Sequence, residues 1–317
     1  MSLRYGARSR PGTMVSTWLN SLVSGTVVPR GNGAFWAGDA LTATIDKTSF
    51  VDDATAAVGS SLSAANAFPS GAANSGTAAY WAAGNTGSRV DLIQKTPFST
   101  EATATITPTT SAAADQGAGM ANSGTAAYWA LAYTTDYTTA INKTVFSDDA
   151  TAAITPTLSA STKTMGGYAN SGTAGYWVMG NNQNIIDKTL FSNDATAALA
   201  ATLSNSVKYR SGLANSGTAG YTAFGYALTA VINKLTFASD ANAAITPTLS
   251  TAKWGGAGGA KSGTAGYWAG GSPSGATSAR TSVIDKMQFS DDANAAITPT
   301  LSANRAEFCG CADSGSL

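Results

Sequence analysis

The chain has 317 residues with 18 basic and 18 acidic side chains, only 11% of it charged, a balance that argues against a nucleic-acid binder working by charge. It contains no histidine, the commonest general base and metal ligand, and its two cysteines, Cys309 and Cys311, are too few for a disulfide framework or a cysteine-only zinc site. Ala, Gly, Ser and Thr dominate while helix-favouring Glu and Lys are scarce, which predicts an all-β chain, and no run of about 18 apolar residues predicts a transmembrane helix.

Residues 1–32 stand outside the repeat that fills the rest of the sequence. They carry Arg4, Arg8, Arg10 and Arg30 and no acid, leaving 14 basic against 18 acidic residues beyond them. Met14, Val15, Trp18, Leu19, Leu22 and Val23 form an apolar stripe at helical spacing, with Thr13 placed to cap it, so a short helix is predicted. Ser16, Thr17, Asn20 and Ser21 interrupt the apolar core that a secretory signal needs. The segment is read as a docking arm for a partner or a neighbouring copy, with Arg4, Arg8, Arg10, Trp18, Leu19 and Leu22 as its contact residues. The alternative is a helix that packs on its own ring.

From residue 33 onward two anchors recur. One is a turn, Asn74-Ser75-Gly76-Thr77, repeated at Asn122, Asn170, Asn215 and Lys261 and, with Asp313-Ser314-Gly315-Ser316, at the C-terminus. It leads into a strand with an aromatic pair, as in Tyr176-Trp177. The other is Lys-x-x-Phe-x-x-acid, kept six times: Lys47, Phe50 and Asp53 begin the series and Lys286, Phe289 and Asp292 end it. Successive Phe positions lie 48, 48, 45, 46 and 52 residues apart, too long and irregular for a solenoid coil but suited to a four-stranded propeller blade.

After each acid comes an Ala- and Thr-rich outer strand, closed in four repeats by Pro108, Pro156, Pro247 and Pro299, residues tolerable where a strand is at an edge or stopping. A rigid eight-residue step then leads from Ser63, Ser111, Ser159, Ser204, Ser250 and Ser302 to Gly71, Gly119, Gly167, Gly212, Gly258 and Gly310. Six glycines at one position imply crowding of the innermost strands around an axis. The C-terminus stops at the end of an inner strand and Gly33 to Gly38 reads as the strand that should follow it. The prediction is therefore a single all-β domain, a six-bladed β-propeller over residues 33–317 whose last strand completes the first blade and removes the free edge.

This pattern of inner strand, short turn, aromatic strand, third strand and bulky residue before the fourth resembles the kelch-like propellers. The family's double glycine survives only as Gly270-Gly271, its strand-four Trp is replaced by Phe, and Trp is lost at Thr222. The Ser-Gly-Thr-Ala-Gly-Tyr-Trp phrase with Asp-Lys-x-x-Phe-Ser-Asp-Asp is also similar to repetitive proteins of tailed bacteriophages and related particles. That resemblance implies a virion component, on the surface of a virion or extracellular particle.

Residues kept in every blade are assigned to structure, a Phe between sheets and a Lys paired with an acid, and so is the aromatic pair of five blades, Phe35-Trp36 and four Tyr-Trp pairs, read as core. Cys309 and Cys311 occupy small or packing positions, and alternate residues on one strand are poorly placed to bond each other. Asp52-Asp53, Asp148-Asp149 and Asp291-Asp292 lie in repeated turns without converging partners, so no catalytic residue, metal or cofactor is assigned and the chain is expected not to be an enzyme. Function is sought where the blades differ. The windows before the six glycines contribute Lys163, Lys208, Tyr209, Arg210, Lys253, Trp254, Arg305 and Phe308 against Asp115 and Glu307, with Arg280 nearby in the longest loop. A cationic, aromatic face suits an anionic glycan or an acidic protein surface. The expected function is a structural and binding module that docks through its arm and turns this face toward a host surface or partner. A secreted or cell-surface propeller lectin is the alternative.

Overall fold

The computed structural model describes residues 32–274 and 279–313. The predicted helix, every arm residue named above and the Ser314-Gly315-Ser316 turn lie outside the described residues. Within them the chain forms six four-stranded antiparallel sheets arranged as the blades of a propeller. The inner strands are Ser70–Asn74, Ala118–Asn122, Gly166–Asn170, Ser211–Asn215, Ala257–Lys261 and Cys309–Ala312. Each turns through Ser-Gly into a second strand carrying the aromatic pair, as Ala126–Ala130 does, then a third carrying the Lys, as Ile141–Val145 does, and an outer strand such as Thr151–Ala153. The exception is the first blade, where Gly33–Ala37 is the second strand and its inner neighbour is Cys309–Ala312, with Trp36 opposite Gly310. Closure by the last strand is thus as predicted.

The six glycines hold the axis together. A Cβ at Gly71 would fall 2.5 Å from the Gly310 carbonyl oxygen, one at Gly119 2.3 Å from that of Gly71, and the series continues through Gly167, Gly212, Gly258 and Gly310 at 2.2–2.8 Å. Any side chain there would have to push neighbouring backbones apart. The hydrophobic core is likewise divided into six clusters, each shared by two adjacent blades.

The conserved Lys and acid of one repeat do not pair with each other. Each Lys reaches the acid of the following blade: Lys47 to Glu101, Lys95 to Asp149, Lys143 to Asp194, Lys188 to Asp240, Lys234 to Asp292 and, closing the circle, Lys286 to Asp53, all at 2.6–2.9 Å. In five seams the Tyr hydroxyl beside that Lys donates to the same aspartate, at 2.6–2.9 Å. The Phe of the following blade lies against the same aromatic ring, with centroids 5.1–5.5 Å apart. Blade one has Phe35 where the others have Tyr, and the acid facing it is the longer Glu101. All six acids have positive φ, between 52° and 61°, a conformation that the C-terminal member of each turn must adopt. The residue before them does different work: Asp52, Asp148 and Asp291 each accept the backbone N–H two residues on, tightening the turn.

Four of the buried indoles donate Nε1–H to a threonine on the third strand of their own blade: Trp36 to Thr48, Trp81 to Thr96, Trp129 to Thr144 and Trp177 to Thr189. Where Trp is lost, at Thr222, the space is taken by Tyr168 from the previous blade, whose ring lies so close that a Cβ on Gly220 would meet it at 2.0 Å. Cys309 and Cys311 are free thiols on one inner strand, both buried.

Candidate binding face

The loops between second and third strands and the windows before the glycines share one face of the ring, opposite the Ser-Gly and Phe-to-acid turns. Of the eight side chains picked out on this face by sequence, the structure buries five. Lys253 and Asp285 are an ion pair at 2.8 Å with no exposed surface, and Arg305 with Asp46 is another at 2.9 Å. Arg305 also donates to the carbonyls of Thr44 and Trp36. Arg210 donates to the Met179 and Asn205 carbonyls and to Asn205 Oδ1, and its burial pulls the guanidinium pKa down to about 10. Trp254 is buried with Nε1–H on the Ser274 carbonyl, and Phe308 is buried beside the axis. The expected cationic, aromatic surface is corrected accordingly: Lys163, Lys208 and Tyr209 are the three members that keep partial exposure.

The reason lies one residue before the conserved Lys. Asp46, Gln94, Asn142, Asp187, Asn233 and Asp285 each accept the backbone N–H of the serine that starts the adjoining window, Ser302, Ser63, Ser111, Ser159, Ser204 and Ser250 respectively. An amide there is neutral. A carboxylate buries a charge, and at Asp46 and Asp285 a cation five residues before the axial glycine, Arg305 or Lys253, compensates it. Asp187 takes both the N–H and the hydroxyl of Ser159. Reading the acid-or-amide choice against a cation five residues before the glycine would have identified both pairs, and would have set apart Lys163, which lies four before Gly167.

Three residues before each glycine sit Phe68, Gln116, Thr164, Tyr209, Gly255 and Glu307, all with φ between 54° and 67°. They encircle the mouth of the axial channel and are tied to one another by backbone bonds, among them Phe68 N–H to Glu307 O and Glu307 N–H to Gly255 O, both 2.6 Å. Phe68 and Tyr209 enter from opposite blades and stack across the mouth, centroids 5.6 Å apart, over a cavity of about 80 Å³ walled by glycines. Burial raises the Glu307 carboxyl pKa, against the opposing pull of Arg280, which lies 3.8 Å away and is itself paired with buried Asp39 at 3.0 Å. Phe68 and Tyr209 thus lie across part of the mouth.

Two aromatic groups flank the mouth. Tyr209 contacts Trp254 and Tyr226, with centroids 4.8 and 5.9 Å away, and Tyr226 is 46% exposed. On the other side, Arg89 lies over the Tyr133 ring at 3.9 Å, and Lys163 lies 5.0 Å from the centroids of both Tyr133 and Tyr137. Sequence reasoning from the windows alone misses Phe68, Gln116 and Thr164, whose common offset from the glycine was the available signal. It also misses Arg89, Tyr133 and Tyr137, which come from the neighbouring loops.

The class defined by these features is a closed six-bladed β-propeller with one repeated and one individual face. No protein-family model and no curated protein matches the chain, so the reading of its role rests on fold and residues.

Proposed function

We propose that this protein is a non-enzymatic structural and binding module, held by one face of the ring and presenting the other. The observation that carries this reading is where the chain enters the propeller. The Asn32 carbonyl accepts the Phe50 N–H at 3.0 Å, and its own N–H donates to the Asp313 carboxylate. The chain thus enters the ring at Asn32 on the repeated face, opposite the individual mouth. An anchor attached there leaves Tyr209, Lys208, Lys163 and their neighbours free to meet a partner. The rigid seams suit a scaffold, and the carboxylates of the repeated turns are already committed to Lys, Tyr or backbone groups, which favours binding over acid–base chemistry.

The setting we favour is a phage or phage-like particle, with the kelch-like propeller as a tail, neck, capsid-decorating or fibre component. It rests on the likeness of the repeat wording. A lectin built on repeated aromatic pockets is less favoured, because Trp36, Trp81, Trp129, Trp177 and Trp268 are all buried between blades. The test is light scattering on the full chain beside a chain lacking residues 1–31, with a thermal melt of each. The expected result is an oligomer that becomes a folded monomer with an unchanged melt. The same state for both chains, with the shorter one still incorporating into its assembly, would defeat the docking role.

A further inference from the structure

We infer that Arg89, Tyr133, Tyr137 and Lys163 form a binding site for a carboxylated sugar unit. The site deepens the binding role proposed above and rests on it. Three successive blades build it. Arg89 comes from the loop of the second blade, Tyr133 and Tyr137 from the equivalent loop of the third, and Lys163 from the window leading into the fourth.

The site is held from below. Tyr133 exchanges backbone hydrogen bonds with Asp115, at 3.0 and 3.2 Å, and the buried Asp115 carboxylate fixes Arg89 Nε at 3.3 Å while accepting from Asn85 Nδ2 at 3.2 Å. Asp115 therefore compensates one cation. The second has no such partner: Lys163 makes no ion pair among the described residues, and its contacts are the two tyrosine rings. Asp136, the other carboxylate of the loop, is engaged by the Tyr137 N–H at 2.8 Å. If these cations served only to pack the loops, one per ring would suffice. Two cations against the same Tyr133 ring repel each other, and an anion that reaches both relieves that repulsion.

The shape narrows the anion. A guanidinium with one edge anchored and an ammonium beside it suit a planar carboxylate. Tyr137 is 40% exposed and offers a ring against which the C–H face of a pyranose can lie. A uronate-type sugar supplies both parts in one unit. An acidic peptide supplies the charge without the stacking face.

The test is calorimetric titration of the full chain with a galacturonate oligomer, its neutral counterpart in which the carboxylates are reduced to alcohols, and an oligoglutamate of equal charge. The variants are Lys163→Met, Lys163→Arg and Tyr137→Ser, with Lys261→Met, at a Ser-Gly turn on the repeated face, as a control. Arg89 is left intact, because removing it strands the buried Asp115 carboxylate. Binding of galacturonate but not of the neutral oligomer is expected. Lys163→Met and Tyr137→Ser should each weaken it about tenfold, while Lys163→Arg and Lys261→Met retain it. No heat with galacturonate, unchanged affinity in both weakening variants, or oligoglutamate binding as tightly as galacturonate would each overturn the assignment. These failures leave the docking of residues 1–31 untouched, since that role is read by assembly state and not by saccharide binding.

Discussion

On the repeated face of the ring, six aspartate or glutamate side chains meet six lysines in the same way, blade after blade. At the mouth on the other face, six structurally equivalent positions hold Phe68, Gln116, Thr164, Tyr209, Gly255 and Glu307, no two alike. Both rings share a backbone conformation with positive φ, so geometry alone does not separate them. The difference lies in what the side chains must do. An inter-blade latch is needed at every seam, because each hydrophobic cluster is shared by two sheets and each sheet edge must stay in register with its neighbour. The mouth makes its ring-like connections through backbone groups, which leaves its side chains unconstrained by the repeat.

The largest effect should come from breaking the circle of seams where the chain itself closes it. A chain ending at residue 302 lacks the inner strand of the first blade and Arg305. The edge of Gly33–Ala37 is then unpaired and Phe35 and Trp36 lose their cover. Such a chain should aggregate and show no cooperative melt. A soluble, cooperatively unfolding product would mean that five complete blades and a partial one hold together without closure.

Next in size is the buried charge beneath the individual face. Arg305→Met should cost about 3–5 kcal/mol in denaturant unfolding, because it leaves Asp46 buried without its cation. Adding Asp46→Asn should recover most of that loss, since Asn142 and Asn233 already fill the equivalent position in the third and fifth blades. A second change that restores nothing would show that Arg305 acts through its carbonyl contacts and not through charge.

These pairs also show what could be read from the sequence. The blade count, the crowding at the six glycines and the closure followed from spacing, because an axis shared by six inner strands imposes one residue type at one position. The latch was half legible: Lys, Phe and acid recur together, but spacing within a repeat cannot say that Lys143 meets Asp194 of the next blade rather than Asp149 of its own. The basic windows misled for a related reason. Lys253 and Lys163 differ by one place relative to the glycine, and that single step turns one inward to Asp285 and the other over Tyr133 and Tyr137. A strand-like alternation of direction is visible only once the register is known. Tyr168 filling the space above Thr222 is a contact between blades, and neither residue signals it alone.

The smallest effect sharpens the latch itself. Tyr128→Phe makes one seam like the natural Phe35 seam, removing the hydroxyl that donates to Asp194 while leaving the ring against Phe191 and Lys143 on the carboxylate. At neutral pH the loss should be about 1–2 kcal/mol, the range between an ordinary hydrogen bond and one to a charged group. Burial, then the hydrogen bond to Asp194, then its charge hold the Tyr128 pKa well above the ordinary tyrosine value near 10. A raised folded-state pKa gives stability that is complete below the unfolded value and is lost as pH rises toward the folded one. The gap between wild type and Tyr128→Phe should therefore be constant up to about pH 10 and narrow above it, as the unfolded chain alone ionises this tyrosine. Denaturant unfolding across that range reads the gap directly. A gap that stays constant to high pH would mean that Tyr128 ionises as readily in the folded ring as in the unfolded chain, and the hydrogen bond donated to Asp194 would then not be the source of the gap.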